Sequence, residues 1–87
     1  MQRQGLLKQI EYYMGDSNLT RDDFFREQIQ SSKDGYIELK VFLNCNAVKK
    51  LGITDLEVIK EHLEKSTTLE MNPKKTGVRR KGNMALP

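Results

Sequence analysis

One cysteine and one histidine are all that 87 residues offer to thiol and imidazole chemistry. Cys45 has no partner for an internal disulfide, which fits a reducing compartment. His62 lies seventeen positions away, and the two alone do not make a zinc site. Long hydrophobic runs are missing too. Apolar stretches reach three or four residues, as in "VFL", whereas a membrane-spanning helix needs about 20. The start shows no signal-peptide sequence of charge, apolar run and small-residue cleavage site. No glycine-rich phosphate loop occurs. His62 falls in the middle of an expected helix, on its surface or at the border of its buried stripe, with no Ser, Cys or Asp placed locally to act with it, and Cys45 sits among apolar residues. An enzyme is therefore not expected, and no cofactor or metal is implied.

What remains is one small domain. Eighty-seven residues are too few for two independent cores, and a hydrophobic fraction of 37% suffices for one packed helical unit. The net charge of +3 is unevenly spread. Residues 1–71 carry ten Lys or Arg against twelve Asp or Glu; residues 72–87 carry Lys74, Lys75, Arg79, Arg80 and Lys81 with no acid. Such a basic end either attracts a polyanion or merely keeps the chain soluble.

Aromatic residues number six, and four of them fall in "YYMGDSNLTRDDFF", as two adjacent pairs around a polar middle. Neighbouring residues on a helix point about 100° apart, so one buried stripe cannot use both members of a pair. "LLKQIEYYM" reads as a helix burying Leu6, Leu7, Ile10 and Met14. Gln9, Tyr12 and Tyr13 then share its flank at i, i+3 and i+4, while Lys8 and Glu11 face solvent. Gly15 suits a left-handed helix stop. "TRDD" has the form of a capping box opening a second helix at Thr20, with Phe25 and Ile29 as core and Phe24 turned to the flank. Tyr12 and Phe24 are thus the spare rings, with Tyr13 at the border.

Farther on, "SSKDGY" is a turn and "YIEL" a short strand. "KVFLNCNAVKKLG" reads as one helix, apolar at Val41, Phe42, Cys45 and Val48 and ending at Gly52. "TDLE" is a second capping box before a helix burying Leu56, Ile59 and Leu63. "TTLEMN" and "TGVRRK" form a basic hairpin around "PKK", and "GNMALP" has no periodic signal, as in a disordered tail or linker. These pieces predict an α+β, winged-helix-like domain, several helices packed on a small three-stranded antiparallel sheet, over residues 1–81, with a tail at 82–87.

The Gln9, Tyr12 and Tyr13 flank has the chemistry of unpaired-base recognition. An amide reads a base edge, and exposed rings stack on base faces. Asp22 repels phosphate but accepts hydrogen bonds from ribose hydroxyls, and adjacent 2′ and 3′ hydroxyls occur together only on the last nucleotide of an RNA. Ordinary core rings beside a capping Asp explain the same residues, and the residues alone leave both readings open.

"QIEYYMGDSNLTRDDFFREQI", followed by "DGYIEL", resembles the La motif, the RNA-binding winged-helix domain of La and La-related proteins. The likeness runs from about Leu6 to Lys81, with Met14 where Phe is usual. "FFREQI" and "KDGY" look most like genuine La proteins and the La-related group that stays bound to one noncoding RNA. The resemblance implies recognition of RNA ending in uridines with a free 3′ hydroxyl, as in polymerase III transcripts or a dedicated RNA such as telomerase RNA. Binding would protect the end and assist folding or ribonucleoprotein assembly. Gln9 would read the penultimate uracil, Tyr12 and Tyr13 line the pocket, and Asn18 shape the loop and contact RNA. Arg21 would lie near the backbone, Asp22 accept from the terminal ribose, and Phe24 stack on a base. Asn46 is retained, but within "CNA", where the family commonly has an aromatic, Asn and Arg; Cys45 and Ala47 thus remove a ring and a charge. The resemblance further implies a monomer, a nuclear location with possible shuttling to the cytoplasm, and an RNA-recognition motif following the domain. Duplex DNA binding by the winged helix and protein interaction through the exposed rings are the alternatives.

Overall fold

A computed structural model describes residues 5–87; the first four residues of the expected 1–81 domain lie outside it. Helix α1 (Leu6–Tyr13) is followed by a short α2 (Asp16–Leu19) and by α3 (Asp23–Ser31). Strand β1 (Ile37–Glu38) runs into a 3-10 turn (Leu39–Asn44), then α4 (Asn46–Lys50) and α5 (Leu56–Leu63). The hairpin β2 (Leu69–Met71) and β3 (Gly77–Arg80) completes the order, with a last 3-10 turn at Lys81–Asn83. β3 lies centrally, antiparallel to β1 and β2, with Val78 opposite both Ile37 and Met71. This is the expected winged-helix-like arrangement.

One core holds it together. Leu6 and Ile10 of α1 and Met14 at its C-terminal cap are buried with Phe42, Val48, Ile59, Leu63 and the sheet residues Ile37, Leu69 and Val78. Burying a side chain of this size contributes roughly 1.5–3 kcal/mol. The stripe of α1 is the predicted one, with Leu7 at its edge. In α5, however, the buried set is Val58, Ile59 and Leu63, and Leu56 is only partly covered.

Local details depart from expectation where side chains outbid the pattern. Gly15 is extended (φ −86°, ψ 162°) and precedes α2, which periodicity could not reveal in four residues. A Cβ there would lie 3.2 Å from the Glu11 carbonyl, so close approach explains the glycine. Asp22 caps α3, its Oδ1 accepting from the Phe25 N–H at 3.0 Å, while the Thr20 hydroxyl donates back to the Asp16 carbonyl. Likewise Asp55, and not Thr54, caps α5. Asp is at least as good a cap as Thr, so the box shifts to the carboxylate. The expected single helix over 40–52 breaks at Cys45, which is extended, although Gly52 does end α4 at φ +78°. Glu11 faces Ser66 and Thr68 rather than solvent, accepting from their hydroxyls at 2.8 and 3.1 Å. The tail folds back: Arg80 donates to the Ala85 carbonyl and Leu86 packs against the core.

Candidate nucleic-acid interface

The two aromatic pairs meet where α1 faces α3. Tyr13 stacks on Phe25 with centroids 5.1 Å apart and planes 28° from parallel. Phe42 closes the inner side, 5.6 Å from Phe25 and 6.3 Å from Tyr13. Tyr12 extends the row outward at 6.2 Å from Tyr13, and Phe24 meets Phe25 edge-on at 5.5 Å. Phe25 is 3% exposed, whereas Tyr12 is 47% and Phe24 55% exposed. Each pair therefore spends one ring on the interior and offers the other, with Tyr13 half-buried between them.

A polar spine runs beneath the row. Asn18 is buried, and its side-chain amide donates to the Tyr13 carbonyl at 2.9 Å and to Asp22 Oδ2 at 3.2 Å. Asp22 is thus fixed through both oxygens, one to Asn18 and one to the Phe25 N–H. An ionised carboxylate has about four acceptor positions, so two remain for a ligand. Burial raises the Tyr13 phenol above its usual range, with the nearby Cys45 thiol and Asp22 carboxylate adding to the shift and the Ala47 backbone opposing it. Burial likewise raises the Cys45 thiol, Tyr13 opposing and Asp22 adding. At neutral pH both groups are neutral.

The fold therefore gathers Tyr12, Tyr13, Asn18, Asp22 and Phe24 along one flank, and Cys45 and Ala47 on either side of exposed Asn46 adjoin Tyr13. Gln9 is half-buried one turn earlier on α1, and Arg21 is exposed in the α2–α3 connection. The supporting rings, Phe25 and Phe42, act by holding Tyr13; the four-residue spacing to Ile29 marked Phe25, but nothing local linked Phe42 to the row. Two hollows lie elsewhere. One is lined by Leu39, Leu56, Lys60 and Lys75, the other by Met14, Asp16, Leu69 and Arg80. The candidate rings stand on an open flank instead of in either hollow.

The basic hairpin is less positive than its composition. Arg79 pairs with Glu70 directly across the sheet at 2.8 Å, Arg80 with Asp16, and Lys75 with Glu64. The Glu70 hydrogen bond raises the Arg79 guanidinium further, and Lys75 holds the Glu64 carboxyl below its usual range. Lys74 and Lys81 are exposed and make no ion pair among the described residues.

The La domain family model matches residues 6–65. La-related protein 7 of Mus musculus is 40% identical over 76 residues, covering 87% of this chain and 13% of that protein. Lupus La protein homolog A of Xenopus laevis is 42% identical over 84 residues, covering 94% of this chain and 19% of that protein. Among solved structures, the La autoantigen N-terminal domain superposes with a TM-score of 0.88 at 29% identity, covering 98% of this chain and 89% of that one. The La motif of the Dictyostelium discoideum La protein gives 0.73 at 40% identity, covering 99% and 91%. The chain spans less than a quarter of the full-length relatives named here. It belongs to the La domain family.

Proposed function

From that membership we propose that this domain is a non-catalytic RNA binder that grips a uridine-rich 3′ end bearing a free hydroxyl. The observation that carries the reading is Asp22: an acceptor-only side chain, anchored by Asn18 and the Phe25 N–H, beside rings that the core does not use. Tyr12 and Phe24 offer faces for stacking at about 1–3 kcal/mol per base. The free lone pairs of Asp22 suit the paired hydroxyls of a terminal ribose and repel a terminal phosphate. Gln9 reads a uracil edge, Asn46 and Tyr13 line the terminal subsite, and Arg21 lies by the backbone. Asn18, expected from the resemblance to contact RNA, is buried with both amide hydrogens engaged and shapes the loop from beneath. Cys45 and Ala47 leave that subsite with less stacking and charge than the family pattern, so an adjoining RNA-recognition motif supplies part of the affinity. The RNA is a nascent polymerase III transcript or one stable noncoding RNA, bound in the nucleus by a monomer. Duplex binding through the hairpin is disfavoured by the pairing of Lys75, Arg79 and Arg80 with acids.

The test is a titration of labelled oligouridine with a 3′ hydroxyl, the same oligomer with a 3′ phosphate, and a DNA duplex. Terminal recognition requires the hydroxyl form to bind at least about tenfold more tightly than the other two, a difference of roughly 1.4 kcal/mol. Equal binding of both RNA ends would rule the mechanism out.

A further inference from the structure

Two arginines each join α2 to the segment at residues 84–87. Arg26 of α3 uses one nitrogen, Nη1, to donate to the Leu19 carbonyl at 3.0 Å and to the Pro87 carbonyl at 3.0 Å. That nitrogen carries two hydrogens, so both bonds are complete. Buried Arg80 of β3 pairs with the Asp16 carboxylate through Nη1 and donates to the Ala85 carbonyl through Nη2. Asp16 and Leu19 are the first and last residues of α2. Both ends of α2 are therefore fastened to the segment after Asn83, and Leu86 of that segment packs against the core.

α2 carries Asn18, which holds Tyr13 and Asp22. A four-residue helix has little stability of its own, because nucleation is costly and few hydrogen bonds repay it. Its position depends on what grips its ends. We infer that Arg26 and Arg80 are positioning residues for Asp22, and that residues 84–87 form a strap that completes the RNA-end site through α2. The strap acts through α2, by setting where Asn18 places the carboxylate. Residues 84–87 are in this way coupled to the proposed RNA-end site. This inference rests on the 3′-end reading given above.

The test compares the 87-residue chain with Arg26→Ala, with a chain ending at Asn83, and with both changes together. Each is titrated with the 3′-hydroxyl and 3′-phosphate oligouridines, and exchange of the Phe25 amide hydrogen is followed without RNA. Each single change is expected to lower the hydroxyl-over-phosphate preference by about threefold to tenfold. The combined protein should lose less than the product of the two single effects, because both changes remove the Arg26–Pro87 bond. Exchange of the Phe25 amide, which donates to Asp22, should quicken by roughly tenfold in each. An unchanged preference in both single variants, or losses that multiply, would overturn the coupling. If the unaltered chain shows no end preference, the 3′-end reading is what fails. The amide exchange then decides the strap alone, and an unchanged rate refutes it.

Discussion

The helical flank and the basic hairpin make opposite use of charge. The flank carries Asp22, a residue ill suited to a polyanion, held in place by two hydrogen bonds beside exposed rings. The hairpin carries the cations that composition leaves open to either polyanion binding or solubility, yet three of them already face carboxylates. The two solvent-accessible pairs, Lys75–Glu64 and Arg79–Glu70, add little to stability, but each carboxylate offsets much of the attraction its cation would exert on a distant phosphate. Under the proposed function, selectivity would belong to the flank and the hairpin would contribute modest, salt-sensitive steering.

The sharpest way to break this contrast is at Asp22. Asp22→Ala should abolish the preference for a 3′ hydroxyl over a 3′ phosphate and, by losing the α3 cap, cost about 0.5–2 kcal/mol of stability. Asp22→Asn keeps an acceptor for the Phe25 N–H but loses the charge. Its end preference should fall nearly as far with a smaller change in denaturation midpoint, which separates ligand recognition from capping. A retained preference in both variants would move selectivity away from the flank.

Next in size are the rings. Tyr12→Ala and Phe24→Ala should each weaken oligouridine binding by about 1–3 kcal/mol while leaving the urea midpoint almost unchanged, since both side chains are exposed. Phe25→Ala should do the reverse in emphasis, costing about 3–5 kcal/mol of stability. If Tyr12→Ala and Phe24→Ala unfold the protein instead, the division of each pair into core and offered ring is wrong.

The smallest effects belong to the hairpin. Lys74→Ala should reduce the slope of log affinity against log salt by about 0.7, the single-strand value for one phosphate contact, and do so equally for both RNA ends. Lys75→Ala should change it less at pH 7, because Lys75 is engaged by Glu64. Lys75 depresses the Glu64 carboxyl, so the pair's stabilisation is fully present above the unfolded carboxylate value near pH 4.3 and is lost as pH falls through the lowered one. Acidification through that window should erase the difference in melting temperature between Glu64→Gln and the unaltered chain. A Lys75 effect on the salt slope as large as that of Lys74 at pH 7 would show that the ion pair does not withhold the charge.

The stripe of Leu6, Ile10 and Met14, the outward turn of Tyr12 and Phe24 and the hairpin with its three-stranded sheet were all legible from periodicity and turn chemistry. They depend on neighbours in sequence, where the helix and strand repeats act directly. The elements misread were short or decided by competition. α2 offers four residues to a 3.6-residue repeat, and the break at Cys45 falls inside an uninterrupted apolar pattern. Thr20 and Thr54 looked like caps until Asp22 and Asp55, one or two positions on, proved the acceptors that reach a free N–H.

Local order thus set which side chains each element turns inward and which it offers, because those choices follow from backbone repeats a few residues long. Folding in three dimensions chose the partners: Glu11 with Ser66, Arg80 with Asp16, Arg26 with both Leu19 and Pro87, and Phe42 beneath Tyr13. Those pairings join residues far apart in the chain, and hydrogen bonds and ion pairs are made only between groups that the packed core has already brought within about 3 Å.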